Sequence, residues 1–152
     1  MSFSAFEEST QDGRPVEIFE ISVGATTFRF TSTQDPVGFG DFTYAPVPIT
    51  RSNPKVNQDE PGSSLELALA TNDLSAQELA RSWVARAPAT GDSRVNIRRF
   101  HRGDGNFQLF WAGYVVSVAY SQEGALTTIS CKSLDNLFTL QGPRKNWGTL
   151  CN

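Results

Sequence analysis

Phe107-Gln-Leu-Phe-Trp-Ala-Gly-Tyr-Val-Val-Ser-Val-Ala-Tyr-Ser-Gln-Glu-Gly-Ala-Leu-Thr-Thr-Ile-Ser-Cys-Lys-Ser-Leu134 is the most informative run in the chain. It is dense in β-branched and aromatic residues and is broken once, at Gln122-Glu123-Gly124-Ala125. That pattern predicts two antiparallel strands, 107–122 and 126–134, joined by a tight turn. Gly113 is expected to let the long strand bend or coil. Upstream, residues 94–102 run into Gly103-Asp104-Gly105-Asn106, a strong hairpin-turn signal. Three consecutive strands joined by short turns make a meander.

The first half carries the same period of two. Val16 to Val23 places Val16 and Ile18 on one face, then Phe19, Ile21 and Val23 on the other. The switch implies a bulge or burial of both faces. Gly24-Ala25 turns the chain into Thr26–Thr33, where Phe28 and Phe30 alternate with polar residues, so 16–33 reads as a β-hairpin. Residues 34–41, with Pro36, Gly38 and Gly40, read as a loop. A short strand at Phe42 and Tyr44 follows. Pro46 and Pro48 cannot donate to a central ladder, so that segment lies at an edge or leaves the sheet. Residues 51–64 read as a long polar loop, and Leu65, Leu67 and Leu69 resume the alternation.

One helix is expected. Ser75-Ala-Gln-Glu78 fits a capping box, with Leu74 and Leu79 placed as a hydrophobic staple. The helix would run to about Ala85 and bury Leu79 and Trp83, four residues apart. Pro88 and Gly91 would close it. The predicted fold is mostly β: a small antiparallel β-barrel or closed sandwich with one short inserted helix, about 75–85. Residues 1–14 form a leader, 15–141 the domain and 142–152 a C-terminal extension.

Composition narrows the function. In 152 residues, 13 basic side chains against 16 acidic ones give a net charge of -3, which argues against a nucleic-acid coat. No basic start precedes an apolar core, so no secretory leader is expected. No apolar run is long enough to span a bilayer, so no membrane insertion is expected. Cys131 and Cys151 do not make a disulfide framework, and synthesis in a reducing cytoplasm is expected. Eleven Phe accompany ten Arg and only three Lys (Lys55, Lys132, Lys145). Arg makes planar, weakly hydrated contacts and is enriched at interfaces.

The sequence carries no strong catalytic motif. His101 is the one histidine and sits in Arg98-Arg-Phe-His-Arg102, where neighbouring cations make it a poor base. Asp104 belongs to the turn. Glu17 with Glu20, or Asp59 with Glu60, are the carboxylates a small hydrolase would need, but Glu17 and Glu20 differ in strand parity and would point apart. Arg94, Arg98, Arg99 and Arg102 with Phe100 offer phosphate and stacking groups on one hairpin, yet such hairpins also pair with acidic surfaces within or between subunits. Trp111, Tyr114 and Tyr120 would serve a carbohydrate-binding β module only on one flat face, and Trp111 has the opposite parity to the two tyrosines. Cys131 shares the face of Ile129 and reads as a small buried hydrophobe. The expectation is no enzyme and no specific nucleic-acid binding.

The order of features resembles the N-terminal domain of a phage tail-tip or baseplate hub family, related to minor tail protein L of long non-contractile tails. The matching elements are the hairpin Val16–Thr33, Phe42-Thr-Tyr-Ala-Pro-Val-Pro-Ile49, the Leu65–Leu69 strand, the helix at Ser75, the Arg-rich hairpin leading into Phe110-Trp-Ala-Gly113, and Ser133-Leu-Asp135. The resemblance covers nearly the whole chain. It implies a virion structural protein, made in the bacterial host cytoplasm and carried in the tail. It further implies a homo-oligomeric ring, a trimer, that adapts the tail tube to the central tip protein. The neighbours would be the distal tail protein and the tip protein, with the tape-measure end within reach. Arg94, Arg98, Arg99 and Arg102 are the expected inter-subunit contacts, with the 34–41 and 51–64 loops reaching neighbours. Many family members continue into a cysteine cluster that holds an iron–sulfur centre. Cys151 aligns with its first cysteine, but the remaining ligands do not follow in this sequence, so no cofactor and no metal are expected on these residues; the cluster, with Cys151 as first ligand, is expected only in a chain that continues beyond Asn152.

Overall fold

The computed structural model describes residues 15–56, 62–70, 74–86, 92–100, 107–121 and 126–134. Among the described residues, ten strands and one helix follow in chain order. They are β1 (Val16–Val23), β2 (Thr26–Thr31), β3 (Val37–Phe39), β4 (Phe42–Pro46), β5 (Ile49–Arg51), β6 (Lys55–Val56) and β7 (Ser63–Ala70). The helix α1 (Leu74–Arg86) precedes β8 (Ser93–Phe100), β9 (Gln108–Ser121) and β10 (Leu126–Ser133). The leader 1–14, the 103–106 turn with Arg102 and His101, the Asp59-Glu60 pair, and 135–152 with Cys151 lie outside the described residues.

The strands join in one mixed sheet of order β3-β4-β2-β1-β8-β9-β10-β7-β5, with β6 also on β7. All pairings are antiparallel except β2 with β4. The β1–β2 hairpin forms as expected, Val23 opposite Thr26, and Gly24 at φ 60° supplies the left-handed residue its two-residue loop needs. The meander β8-β9-β10 also forms.

The expected closed barrel does not. Strand pairing stops at β3 on one side and at β5 and β6 on the other, so the ladder is open. A sandwich-like sheet curled around one core describes it better. Pro46-Val47-Pro48 explains the gap. The chain leaves β2 with Val47 N donating to Thr31 O (3.1 Å), and joins β7 where Ala70 N donates to Pro48 O (3.1 Å). Neither proline has an N–H, so this crossing segment cannot pair on both sides along its length.

The core is the inner face of that curl. Phe19, Ile21 and Val23 of β1 meet Leu65, Leu67 and Leu69 of β7, together with Val95, Ile97, Val115 and Ile129. Burying each such side chain contributes roughly 1.5–3 kcal/mol. The parity switch in β1 is resolved by burial on both faces. Val16 and Ile18 are buried too, and the β1 register runs without a shift.

Some elements differ from expectation. Residues 34–41 are not all loop, because Val37–Phe39 pairs with Phe42–Pro46 across a turn with Gly40 at φ 59°. The 51–64 stretch contains β6 and the start of β7. The helix spans Leu74–Arg86, one residue longer at each end than the expected 75–85. Leu74 is also exposed, so it forms no staple with the buried Leu79. Leu79 and the half-buried Trp83 do face the core, as their spacing predicts.

Two bulges in β9 redirect side chains. Ile97 pairs with Trp111 and Arg98 with Leu109, leaving Phe110 as an extra residue. Ser130 pairs with Ser117 and Cys131 with Val115, leaving Val116 extra. The second bulge separates the two tyrosines, which share a parity in the sequence. Tyr114 pairs with Lys132 on the outer face, whereas Tyr120 pairs with the buried Thr127 on the inner one.

Cys131 faces the core as expected, and burial pushes its thiol pKa up to about 12. In a Cys151→Ser chain at pH 8, Cys131 is expected to resist a thiol reagent until denaturant is added. Prompt labelling of the native chain would contradict this placement.

Candidate functional site

Glu17 shares the inner face of β1 with Phe19, Ile21 and Val23, so its carboxylate closes one end of the core. It is clamped from two strands. From β5, Arg51 Nε donates to Oε1 and Oε2 (3.1 and 2.9 Å) and Nη2 to Oε1 (2.6 Å). From β8, Arg99 Nε and Nη2 donate to Oε1 (3.1 and 2.9 Å). Both guanidinium carbons lie 4.3 Å from the centre of the Phe110 ring. The bulge that frees Phe110 therefore completes the cluster. Its significance is topological: β5 terminates the open ladder, and Glu17 ties it by side chains to β1.

Burial alone would raise the Glu17 pKa. The hydrogen bonds and positive charges of Arg51 and Arg99 outweigh it and hold the carboxyl below its ordinary 4.5. A carboxylate saturated by two arginines suits holding strands together better than moving a proton. Because the folded pKa is the lower one, the unfolded chain binds more protons in acid. The contribution of Glu17 is complete above about pH 4.5 and lost as pH falls through the depressed folded value. The Tm gap between wild type and Glu17→Gln is therefore expected to be widest near pH 7 and to close in acid. A gap that widened in acid would contradict the sign.

The outer face holds a second cluster. Glu20, opposite in parity to Glu17, accepts a hydrogen bond from Tyr44 Oη (3.3 Å) and lies 3.6 Å from Arg29 Nε. Burial first, then the Glu20 charge, raises the Tyr44 pKa. The Arg29 guanidinium covers Phe42 at 3.7 Å, and Arg98 covers Phe39 at 5.3 Å. Phe107 lies 4.2 Å from Phe39 and 4.1 Å from Phe100, centre to centre. The β3–β4 hairpin is thus fastened over β1, β2 and β8 by arginine–aromatic contacts. The excess of Arg over Lys and the wealth of Phe are one feature, since a compact ammonium stacks less well than a planar guanidinium.

The expected interface arginines separate accordingly. Arg99 is bound to Glu17, Arg98 covers Phe39, and Arg94 is exposed on β8 opposite Ser22. Arg102 lies outside the described residues. Glu17 and Glu20 do point apart, as parity predicts. Arg51 and Phe110 escape sequence reasoning, because one lies in an expected loop and the other depends on a bulge. Among the described residues no three His, Cys, Asp or Glu side chains converge, and the buried Cys131 is the one thiol. These residues make no iron–sulfur ligand set.

No protein-family model matches the chain, and no curated protein matches it. Its fold is similar to that of a chain in a solved structure, the virion of a native gene transfer agent particle, with a TM-score of 0.66 at 13% sequence identity. The similarity covers 94% of this chain and 48% of that one, so this chain spans about half the length of its structural relative.

Proposed function

We propose that the chain is a structural component of a phage-like virion and acts at the tail tip as a hub domain. The observation that carries this reading is the shared fold across 94% of the chain with a virion protein of a gene transfer agent. At 13% identity the likeness speaks for the architecture, and the virion role is our inference from it. The interior supports a passive role, since its charged groups are consumed in fastening strands. The domain assembles as a ring, a trimer, between the distal tail protein and the central tip protein. It is made in the host cytoplasm, requires no cofactor and performs no catalysis.

Arg94 offers the clean test of the surface, because its side chain is exposed while Arg98 and Arg99 serve the fold. Arg94→Glu is expected to leave Tm within about 2 °C, since isolated surface changes stay within ~0.5 kcal/mol. It should nonetheless reduce the yield of complete tails at least tenfold. Wild-type tail yield would remove Arg94 from the interface. Interrupting the gene should abolish complete tails, and normal particles in its absence would overturn the hub reading.

A further inference from the structure

The outer face over β1, β2 and β8 holds more positive charge than it neutralises. Glu20 stands between Arg29 of β2 and Asn96 of β8, and Arg94 and Arg98 are the neighbours of Asn96 on the same face. Among the described residues, Glu20 is the one carboxylate within 4 Å of any of these three arginines. Even that contact is loose. Glu20 Oε2 lies 3.6 Å from Arg29 Nε, too far for a hydrogen bond, and it already accepts one from Tyr44 Oη (3.3 Å). Arg29 Nε is buried and has no acceptor among the described residues.

Two of the guanidiniums are nonetheless fixed in place. Phe42 and Phe39 pair across the β3–β4 turn, and their rings carry Arg29 (3.7 Å) and Arg98 (5.3 Å) respectively. Burial and the Glu20 charge raise the Tyr44 pKa, and both guanidiniums are near enough to oppose that rise. Stacking engages the face of a guanidinium and leaves its N–H edge unspent. The cluster is also open to solvent: the side chain of Glu20 is 30% exposed and that of Arg29 25%, Arg98 is half-buried and Arg94 exposed. Guanidiniums held in place with free donors recognise carboxylates through paired parallel bonds, and little side-chain freedom is left to lose on binding.

We propose that this cluster is the docking site for an acidic segment of a neighbouring protein, with Arg98 forming paired bonds to one carboxylate and the exposed Arg94 meeting a second. The charges favour two carboxylates over one, because Glu20 alone stands within ion-pair reach of three guanidiniums. An acidic partner meets a chain of net charge -3, so a positive patch also sets the face on which it lands. The site stands whether or not the virion reading does, and its test uses only the purified chain.

The probe is a hexaglutamate peptide titrated into the full chain labelled with heavy nitrogen. Saturable NMR shifts are expected at the Nε–H signals of Arg29 and Arg98 and at the amides of β8. Arg98→Lys keeps a cation over Phe39 but loses the fork, and should weaken binding at least fivefold. Arg94→Gln changes an exposed side chain that fastens no strand, and should weaken it as much. Glu20→Gln should tighten binding at least threefold, an effect that a purely structural role for these arginines would not produce. Shifts centred on Lys55, Lys132 or Arg81, affinity unmoved by Arg98→Lys and Arg94→Gln, or binding weakened by Glu20→Gln would each overturn the proposal. So would equal shifts from sodium sulfate at the same ionic strength, or displacement of the peptide by inorganic phosphate at equal concentration.

Discussion

Replacing Glu17 with alanine is expected to destabilise the chain by about 3 kcal/mol, near the lower end for breaking a mostly buried ion pair. At this chain length that corresponds to a Tm loss of about 6–12 °C. The side chain of Glu17 is 13% exposed and that of Arg51 11%, so water screens the pair poorly. Removing the carboxylate leaves two guanidiniums, each 4.3 Å from the centre of the Phe110 ring, without the counter-charge they share. The loss should also loosen β5 locally, because that strand is short, three residues paired with β7 and flanked by the Pro48 and Ser52 hydrogen bonds to the same strand. Hydrogen exchange at β5 should accelerate more than at β1. The complementary variant separates charge from shape: Glu17→Leu with Arg51→Met and Arg99→Met removes all three charges together. It should recover most of the stability, since a buried ionic cluster often contributes little over apolar residues of similar volume. A single Glu17→Ala variant melting within 1 °C of wild type would show that β5 is held by its backbone alone.

Gly113→Ala is expected to cost about 3 kcal/mol, at the upper end for overpacking a core position. A Cβ there would overlap both the indole of Trp111 and the carbonyl of Lys132. The carbonyl cannot yield without breaking the β9–β10 register, where Gly113 pairs with Ser133 and Tyr114 with Lys132. The indole cannot yield cheaply either. Its Nε1 donates to Ser63 Oγ (2.9 Å), and Ser63 N donates to Ser133 Oγ (2.9 Å), which ties β9, β7 and β10 together. The conformation of Gly113 is ordinary; what excludes a side chain is the close approach of the ring and of the Lys132 carbonyl. Trp111→Leu should therefore relieve the part of the Gly113→Ala penalty that the ring causes and leave the carbonyl part, and a double-mutant cycle reads the coupling. Additive effects of the two changes would contradict this origin.

Much of the architecture was legible. Alternation identified β1, β2, β7, β8, β9 and β10, because each has one face in a common core and period two records that directly. β3 was hidden. Its three residues contain Gly38 and sit between Pro36 and Gly40, so turn chemistry masked a strand held by side-chain contacts. The open ladder was half legible: Pro46 and Pro48 signalled that the segment leaves the sheet, but not that β5 would rejoin at its far end. In the candidate site, the placement of Glu17 and Glu20 on opposite faces followed from their difference in parity. The partners of Glu17 did not, since Arg51 lies 34 residues away and Phe110 is aimed by a bulge. The arginine-rich hairpin illustrates the general difficulty. Composition marked Arg94, Arg98 and Arg99 alike, and only the fold separates an exposed side chain from two that are already engaged.

The virion role is most directly tested by mass spectrometry of purified particles, joined to gold labelling of a tag on the exposed β6. Peptides of this chain are expected in particles at a few copies each, with gold at the distal end of the tail. Particles with complete tails that lack the chain would contradict it.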